Sequence, residues 1–401
     1  TGATNCGMYR LQVFDARTCG MHWHIHKGGA EHLRRMKDRG EVLPVTIVVG
    51  AGPAEIFSAA VPLPPDINEL MFAGLLRGAP VRVARCRTND LLVPAEAEVV
   101  LEGYVDPAEL RLEGPFGDHT GFCSLQDKYP LFHVTCITYR KDAIYPATIV
   151  GVPPQEDYYI AKATERIFLP PMRLSLLPEL TDLSLPAFGV AHNLAIVSIK
   201  KTYPGHASKI AGALWGAGQM MFNKFLVVVD EKVNVHDLQQ VFNAVLSNVR
   251  IPDDLIRQTG PLDVLDHAGI GESFGGKLLL DASEKYPEEQ AAIHPVWESS
   301  DIVDNTASAG MHAKVIYEMS SDRMKITVAT VAKPESSFRE AVAWVKSRIT
   351  NQNNKSSVII VTDRGAENLP PDLLLWYMLA NTDPMRDIVF FAGRYPVLGI
   401  D

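Results

Sequence analysis

The hydrophobic pattern changes near residue 155, and this change restricts the folds that the chain can adopt. Before that point, short apolar runs such as MYRLQVF, VTIVVG and FHVTCITYR lie between Gly, Pro and Asp residues, which is typical of β-strands joined by turns. Only the segment around INELMFAGLLRG has the spacing of a helix there. After residue 155, helical stretches alternate with apolar strands. We therefore expect an α+β chain with a β-rich domain followed by an α/β region.

The α/β region contains an internal repeat. The repeat begins with two apolar strands, LAIVSIKK and KFLVVVDE, each followed by a helical stretch. The same order recurs with MKITVATVAK and SSVIIVTDRG. Asp230 then corresponds to Asp363, and Asp281 roughly to Asp401. One βαβ unit cannot cover its own apolar face, whereas a second copy can. The chain stops within the last motif of the second copy, so we expect it to be a fragment. The expected segments are a β-rich domain (1–155), a linker helix region (156–193), a first α/β copy (194–300) and a second copy (301–401).

Charge and cysteine content exclude several classes of function. The formal net charge of the 401 residues is −9, and no stretch concentrates basic residues. This excludes a basic surface for nucleic acid and disfavours binding to anionic lipid. The five cysteines include no CxxC pair, which is typical of reduced thiols and disfavours a disulfide framework or a zinc site. No segment resembles a signal peptide or a membrane span. We expect a cytoplasmic protein that acts on small molecules.

The stretch LEGPFGDHTGF places two acids, Glu113 and Asp118, on either side of the sequence GPFG. On local grounds a surface turn is the commoner explanation, because Gly, Pro and Asp are ordinary turn residues. The alternative is a pair of carboxyl groups fixed across a stiff turn for proton-transfer chemistry.

The N-terminal segment offers polar groups at regular spacing. His22, His24 and His26 alternate with other residues, so a strand would point all three imidazoles to one face. Both a metal site and a half-exposed strand with outward polar side chains fit this pattern. Lys27 and Gly28 then give a weak signal for an anion, since glycine lets the backbone approach closely.

Glu69 falls in the first turn of the predicted helix INELMFAGLLRG. There it can simply complement the helix dipole. It can also supply a hard oxygen ligand to Mg²⁺ or Mn²⁺, together with the side-chain amide of Asn5 and a cofactor phosphate. The local sequence leaves both explanations open.

Five ordered motifs together resemble a known family. TNxGMYRxQ, MHWxIHKGGAEH, LPxxxNELxFAGLLRG, EGPFGDHTGF and GGKLLLDAS occur in the same order in the UbiD-type carboxy-lyases, which use prenylated FMN to decarboxylate aromatic and α,β-unsaturated acids. The layout is most similar to the longer members of menaquinone biosynthesis. The resemblance implies a split-barrel-like prenyl-flavin domain before the duplicated α/β region. Family members carry a further segment before the first motif, which we expect this chain to lack.

The resemblance also implies roles for individual residues. The catalytic set would be Arg10, Glu113 and Asp118. A divalent metal would lie between Asn5, Glu69 and the flavin phosphate; His26 is the nearest candidate for a third ligand, although an ungapped alignment places Lys27 there. The residues implied to hold the cofactor are Asn5, Met8, Tyr9, Arg10, His22, Trp23, His24, Lys27, Gly28, Glu69 and, near the phosphate, Lys277.

The implied reaction is a reversible, non-oxidative decarboxylation in quinone biosynthesis. Its cofactors would be prenylated FMN and Mn²⁺ or Mg²⁺, with K⁺ as a further candidate ion. Arg10 would orient the substrate carboxylate, Glu113 would hold Arg10, and Asp118 would donate a proton, which requires burial or Glu113 to raise the pKa of Asp118. The implied partners are a small carboxylic acid, a flavin prenyltransferase that supplies the cofactor, and further copies of the chain in a homo-oligomer.

Two other functions are compatible with a flavin-binding chain. An FMN-dependent oxidoreductase would need a nicotinamide site and has no obvious use for Arg10, Glu113 and Asp118. A non-catalytic flavin-binding scaffold would not need these three residues either.

Overall fold

The computed structural model describes residues 4–24, 27–61, 63, 67–290, 313–321, 324–331, 358–390 and 396–399. The chain divides into two units between Gly151 and Val152. Within the described residues, no helix combines the length and the apolar composition needed to span a membrane. All five cysteines are free thiols, as expected from their spacing.

An antiparallel sheet forms the framework of the first unit. Its strands are paired in the order β1-β2-β7-β6-β3, and β4 and β5 form a separate pair. The strands are β1 (Leu11–Val13), β2 (Thr18–Met21), β3 (Leu43–Val49), β4 (Val83–Arg85), β5 (Leu92–Pro94), β6 (Val99–Glu113) and β7 (Asp127–Tyr139). Since β1 and β3 stand at the two edges, the sheet is open and the described residues form no closed barrel.

Three helices accompany this sheet, of which the sequence predicted one. The predicted helix is α3 (Glu69–Arg77), in which Glu69 is the first residue. Asn68 caps it by accepting from the backbone N–H groups of Leu70 and Met71. The helices α1 (Gly28–Arg39) and α2 (Pro53–Ala60) were missed. Gly28 and Gly29 begin α1, and the strong helix formers that follow them continue the helix.

The predicted strand through His22 and His24 is wrong. β2 ends at Met21, where the backbone N–H of Trp23 donates to the Met21 carbonyl at 2.8 Å. The N–H of Lys27 then donates to the His24 carbonyl at 2.9 Å, which turns the chain into α1. His26 lies outside the described residues. The alternating histidines therefore do not form one face of a strand.

Helix α4 (Glu156–Ser175) opens the second unit, at the place where a linker helix was expected. A sheet of five strands follows, in the order β11-β12-β10-β9-β8, with helices α5 (His206–Trp215), α6 (Leu238–Asn248) and α7 (Pro287–Gln290) in the same stretch of chain. Its strands are β8 (Leu180–Ser184), β9 (Leu194–Ile199), β10 (Phe225–Asp230), β11 (Leu255–Pro261) and β12 (Phe274–Asp281). The three central strands are parallel and the two edge strands are antiparallel.

The last sheet repeats this topology. Its order is β13-β14-β15-β17-β16, again with three parallel central strands and antiparallel edges. The elements are β13 (Ala313–Ser320), β14 (Lys325–Val331), β15 (Val358–Thr362), α8 (Pro371–Asn381), β16 (Ile388–Phe390) and β17 (Pro396–Gly399). The helix expected between β14 and β15 and the terminal Asp401 lie outside the described residues. Strand order and direction thus match the predicted duplication.

Two glycine substitutions test the packing of this fold. A Cβ on Gly103 in β6 would overlap the carbonyl of His133 in the neighbouring strand, whereas a Cβ on Gly212 in α5 would meet nothing within 4 Å. We expect Gly103→Ala to destabilise the protein by about 3 kcal/mol through overpacking. Gly212→Ala should stabilise it by about 1 kcal/mol, because alanine favours the helix. Urea unfolding followed by circular dichroism measures both; equal midpoints for the two variants would contradict this packing.

Candidate active site

Arg10 lies at the centre of the candidate active site, where it bonds both acids of the expected catalytic set. It stands in the extended segment before β1, whereas Glu113 ends β6 and Asp118 lies in the turn between β6 and β7. Arg10 Nε donates to Glu113 Oε1 at 3.0 Å, and Nη1 donates to Asp118 Oδ2 at 2.5 Å. The structure therefore brings together three residues that are far apart in sequence.

Glu113 is the anchor of this cluster. Its side chain is fully buried, so its charge needs a partner, and Arg10 supplies one. The pairing of β6 with β7 fixes its position opposite Asp127. Gln12 Oε1 accepts from the backbone N–H of Gly114 at 3.0 Å, which holds the start of the turn against the N-terminal segment.

His22 joins the same cluster. It is 6% exposed, and its Nδ1 lies 2.7 Å from Arg10 Nη2 and 3.1 Å from Glu113 Oε1. Its ring packs 4.2 Å from the ring of Tyr129 and 4.4 Å from that of His24. The sequence had suggested a metal site or a flavin contact for His22, but spacing along one segment does not reveal a partner such as Glu113.

The turn that carries Asp118 supplies two further contacts to Arg10. The guanidinium carbon lies 4.6 Å from the centre of the Phe116 ring, a cation–π distance. Ser124 Oγ lies 3.3 Å from Nη2. Sequence reasoning did not single out either residue. The only signal was their place in or beside the motif that carries the two acids.

The pKa of Asp118 differs from the sequence expectation. Burial raises this pKa, but the hydrogen bonds from the side chain and backbone of His119, together with the charge of Arg10, outweigh burial and lower it to about 2. His119 Nδ1 lies 3.0 Å from Asp118 Oδ1, and its backbone N–H donates to the same oxygen at 2.8 Å. The expectation of a raised pKa is therefore wrong for this arrangement, and Asp118 is a carboxylate at neutral pH.

A second group of expected residues gathers around the Tyr9 hydroxyl. That oxygen accepts from Asn5 Nδ2 at 3.1 Å and from the backbone N–H of Gly29 at 3.0 Å. A Cβ on Gly28 would overlap the Asn5 amide, so only glycine allows this approach. Burial is the largest cause that raises the pKa of Tyr9, and the charge of Glu69 adds to it, against the hydrogen bonds from Gly29 and Asn5.

This second group has the chemistry to hold an anionic cofactor and a hard cation. Lys27, the N-cap residue of α1, makes no capping hydrogen bond with its own side chain, and a helix start beside a lysine favours a phosphate. The indole Nε1 of Trp23 is buried and lacks an acceptor among the described residues. Asn5 and Glu69 offer oxygen donors of the kind that Mg²⁺ or Mn²⁺ prefers. The residues present thus fit a flavin phosphate with a divalent metal.

The structure does not complete a metal site by itself. Within the described residues, no group of three or more His, Cys, Asp or Glu side chains is placed to hold a metal ion. The candidate third ligand, His26, lies outside those residues. Met8 is 47% exposed, and its backbone N–H donates to the Ala59 carbonyl at 2.9 Å.

Lys277 lies on β12 of the second unit and is 1% exposed. Its Nζ donates to the carbonyls of Met221 and Asn223 at 2.6 and 2.7 Å. Burial, as the largest cause, and the charge of Lys224 together lower its pKa to about 8, against the opposing charge of Asp266. Its expected contact with a flavin phosphate stays a prediction.

Comparison with known proteins identifies matches along most of the chain. Residues 1–153 match the 3-octaprenyl-4-hydroxybenzoate carboxy-lyase Rift-related domain, and residues 158–282 match the 3-octaprenyl-4-hydroxybenzoate carboxy-lyase C-terminal domain. An uncharacterized protein of Archaeoglobus fulgidus is 51% identical over 291 residues, which is 72% of this chain and 60% of the relative. The chain spans about 60% of the length of the curated relatives that it matches.

Two solved structures share the fold. The vanillic acid decarboxylase of Sedimentibacter hydroxybenzoicus in its closed form has a TM-score of 0.66 and 27% identity, covering 76% of this chain and 63% of that one. The UbiD-class enzyme HmfF of Pelotomaculum thermopropionicum, in complex with FMN, has a TM-score of 0.64 and 25% identity, covering 74% and 66%. The mixed α+β architecture predicted from the sequence is confirmed.

The lowered pKa of Asp118 predicts how stability depends on pH. A carboxylate with a depressed folded-state pKa stabilises the fold above the ordinary value of 3.8, and this contribution is lost as the pH falls toward about 2. Asp118→Asn should therefore cost about 2 kcal/mol at pH 7 and progressively less below pH 4. Urea unfolding across this pH range measures the difference. Asp142→Asn, at an exposed position, is the control; a cost for Asp118→Asn that does not change with pH would contradict the assignment.

Proposed function

Because the chain belongs to the UbiD family of carboxy-lyases, we propose that it removes CO₂ from an aromatic or α,β-unsaturated carboxylic acid with the help of prenylated FMN. The observation that carries this proposal is the arrangement of Arg10 between the buried Glu113 and the partly exposed Asp118. A reaction that begins with a carboxylate and ends with a new C–H bond needs one cation and one proton carrier at the same place.

Arg10 has the geometry to bind the substrate carboxylate. Its guanidinium fork matches a carboxylate with two parallel hydrogen bonds. Nη1 can receive the substrate when Asp118 gives way, and Nη2 when His22 and Ser124 do. The buried Glu113 keeps Nε and so keeps the fork oriented. Glu113 is thereby an orienting group.

Asp118 is the proposed proton donor, and binding of the substrate favours its protonated form. A substrate carboxylate that takes Arg10 away from Asp118 removes one of the charges that lower the pKa of this acid. Protonated Asp118 then stands where the leaving CO₂ was bound and can deliver its proton to the vacated carbon. The opposite flux, carboxylation, would use the same groups in reverse.

Prenylated FMN would supply the electron sink that no amino-acid side chain offers for an sp² carbon. Asn5, Lys27, Gly28 and the start of α1 would hold its phosphate, and Glu69 with Asn5 would bind Mn²⁺ or Mg²⁺ beside it. His26 as third ligand, Lys277 as a phosphate contact and K⁺ as a second ion belong to the same proposal.

The cellular setting is part of the proposal as well. A quinone precursor is the first substrate to test, since the layout is most similar to members of menaquinone biosynthesis. A flavin prenyltransferase would supply the cofactor, copies of the chain would form a homo-oligomer, and the reaction would take place in the cytoplasm.

Two measurements on the purified protein decide between this function and its alternatives. Mass spectrometry of the extracted cofactor distinguishes prenylated FMN from the plain FMN of an oxidoreductase. CO₂ release from a panel of aromatic and α,β-unsaturated acids then distinguishes an enzyme from a scaffold. Prenylated FMN together with acid-dependent CO₂ release is the expected result; plain FMN with nicotinamide-dependent reduction would overturn the proposal.

Substitutions at Asp118 and Arg10 should separate their roles. Asp118→Asn preserves shape but cannot carry a proton, so turnover should fall by about 10² to 10⁴ while substrate still binds. Arg10→Ala should weaken substrate binding as well, because the carboxylate loses its two-pronged partner. Decarboxylation rate, substrate affinity and flavin content are measured for each variant. Wild-type turnover by flavin-loaded Asp118→Asn would show that another group donates the proton.

Glu69→Ala tests the proposed bridge between metal and phosphate. If Glu69 holds the metal, its removal should lower both the metal and the flavin content of the purified protein at least about tenfold. Asp372→Ala is the matched control, because Asp372 is also an acid in the first turn of a helix, α8, and is exposed. If both variants lose flavin equally, the role of Glu69 is only to complement the helix dipole.

A further inference from the structure

His119 stands beside the proposed proton donor and, unlike Glu113, reaches the surface. The side chains of His119 and Asp118 are 22% and 20% exposed, whereas that of Glu113 is fully buried. We propose that His119 is a proton-relay residue, which passes protons from solvent to Asp118 between turnovers. This inference rests on the proposed decarboxylation and adds the route by which its proton arrives.

The two oxygens of Asp118 face different partners. Oδ2 accepts from Arg10 Nη1, on the side where the substrate carboxylate would bind, and Oδ1 faces His119 Nδ1 at 3.0 Å. The backbone also fixes this turn, since the Asp118 N–H donates to the Phe122 carbonyl at 3.1 Å and the Gly121 N–H donates to the Asp118 carbonyl at 3.0 Å. Asp118 thus contacts Arg10 through one carboxylate oxygen and His119 through the other.

The contacts and charges of the cluster favour His119 as the relay. Asp118 is held as a carboxylate at neutral pH, so it carries no proton of its own into the reaction. The other titratable groups of the cluster cannot replace His119 in this role. Arg10 does not release protons under ordinary conditions, Glu113 has no exposed surface, and His22 Nδ1 faces Arg10 and Glu113.

The hydrogen-bonding chemistry fixes how the proton moves. Ionised Asp118 can only accept, so His119 Nδ1 carries the hydrogen and donates it to Oδ1. In the transfer, the Nδ1–H bond breaks, an O–H bond forms on Asp118, and His119 Nε2 takes a proton from water. Asp118 then gives its proton to the carbon that lost CO₂ and returns to a carboxylate. Exchange with solvent, in which Nδ1 takes a proton from water and Nε2 returns one, then restores the Nδ1–H tautomer that donates to Oδ1.

Paired substitutions distinguish a relay from a merely structural role. His119→Asn keeps an N–H donor near the position of Nδ1 but cannot transfer a proton, whereas His119→Ala removes both the bond and the transfer. If His119 only positions Asp118, the Asn variant should retain activity and the Ala variant should not. For a relay we expect both to lose about 10² in kcat with little change in KM, as for a lost acid–base group.

Added imidazole gives a readout that a structural role would not change. Imidazole added to the flavin-loaded full chain should raise the turnover of His119→Ala at least about tenfold. It can occupy the vacated space and exchange protons there. His133→Ala is the matched control. His133 also pairs with a carboxylate, Glu109, at a place outside the cluster, so its removal should leave turnover and imidazole dependence unchanged.

A spectroscopic measurement tests the pair without turnover. The ¹⁵N spectrum of the wild-type full chain should show the Nδ1–H tautomer for neutral His119, and Asp118→Asn should abolish that preference. Wild-type turnover by His119→Asn, no rescue of His119→Ala, or an Nε2–H tautomer in the wild type would each overturn the relay. A flavin-loaded wild type that releases no CO₂ from any acid would instead overturn the proposed function.

Discussion

The buried charge of Glu113 is the constraint on which the candidate site depends. A carboxylate without solvent must be paired, and Arg10 from a distant part of the sequence supplies the pairing. That ion pair fixes the N-terminal segment against the end of the hairpin formed by β6 and β7. Once Arg10 is held through Nε, the rest of its fork points to the turn that carries Asp118. The geometry of the site follows from this one contact.

The turn adds a second constraint, because it gives the two acids different surroundings. Glu113 lies at the end of a long strand, where the β-ladder fixes it and excludes water. Asp118 lies only five positions later but at the rim, where His119 and Arg10 hold it ionised. Two carboxylates near one arginine therefore have separate tasks: one orients the cation, and the other exchanges protons.

Duplication explains the architecture of the second unit. Each sheet has three parallel strands flanked by two antiparallel ones, in the same order along the chain. A parallel sheet has two apolar faces that require cover, which favours repetition of the whole motif over addition of a single strand. Each sheet also takes in an antiparallel edge strand, β8 or β13, ahead of the first strand that the repeat revealed in the sequence. These two edge strands, LTDLS and AKVIYEMS, share no sequence pattern by which the repeat could have been extended to them.

The sequence by itself determined the properties that depend on near neighbours. Alternation and helical spacing predicted the change from β-rich to α/β structure, the helix α3 with Glu69 in its first turn, and the repeated strands. These patterns reflect which side of an element is buried. Only the tertiary structure decided the contacts and charges of the site. Arg10 and Glu113 are 103 positions apart, and the pKa of Asp118 depends on whether burial or its hydrogen bonds prevail. Local spacing contains neither the distance between such groups nor their exposure to water, so the place of His22 in the cluster and the contact between His119 and Asp118 appeared only in the folded chain.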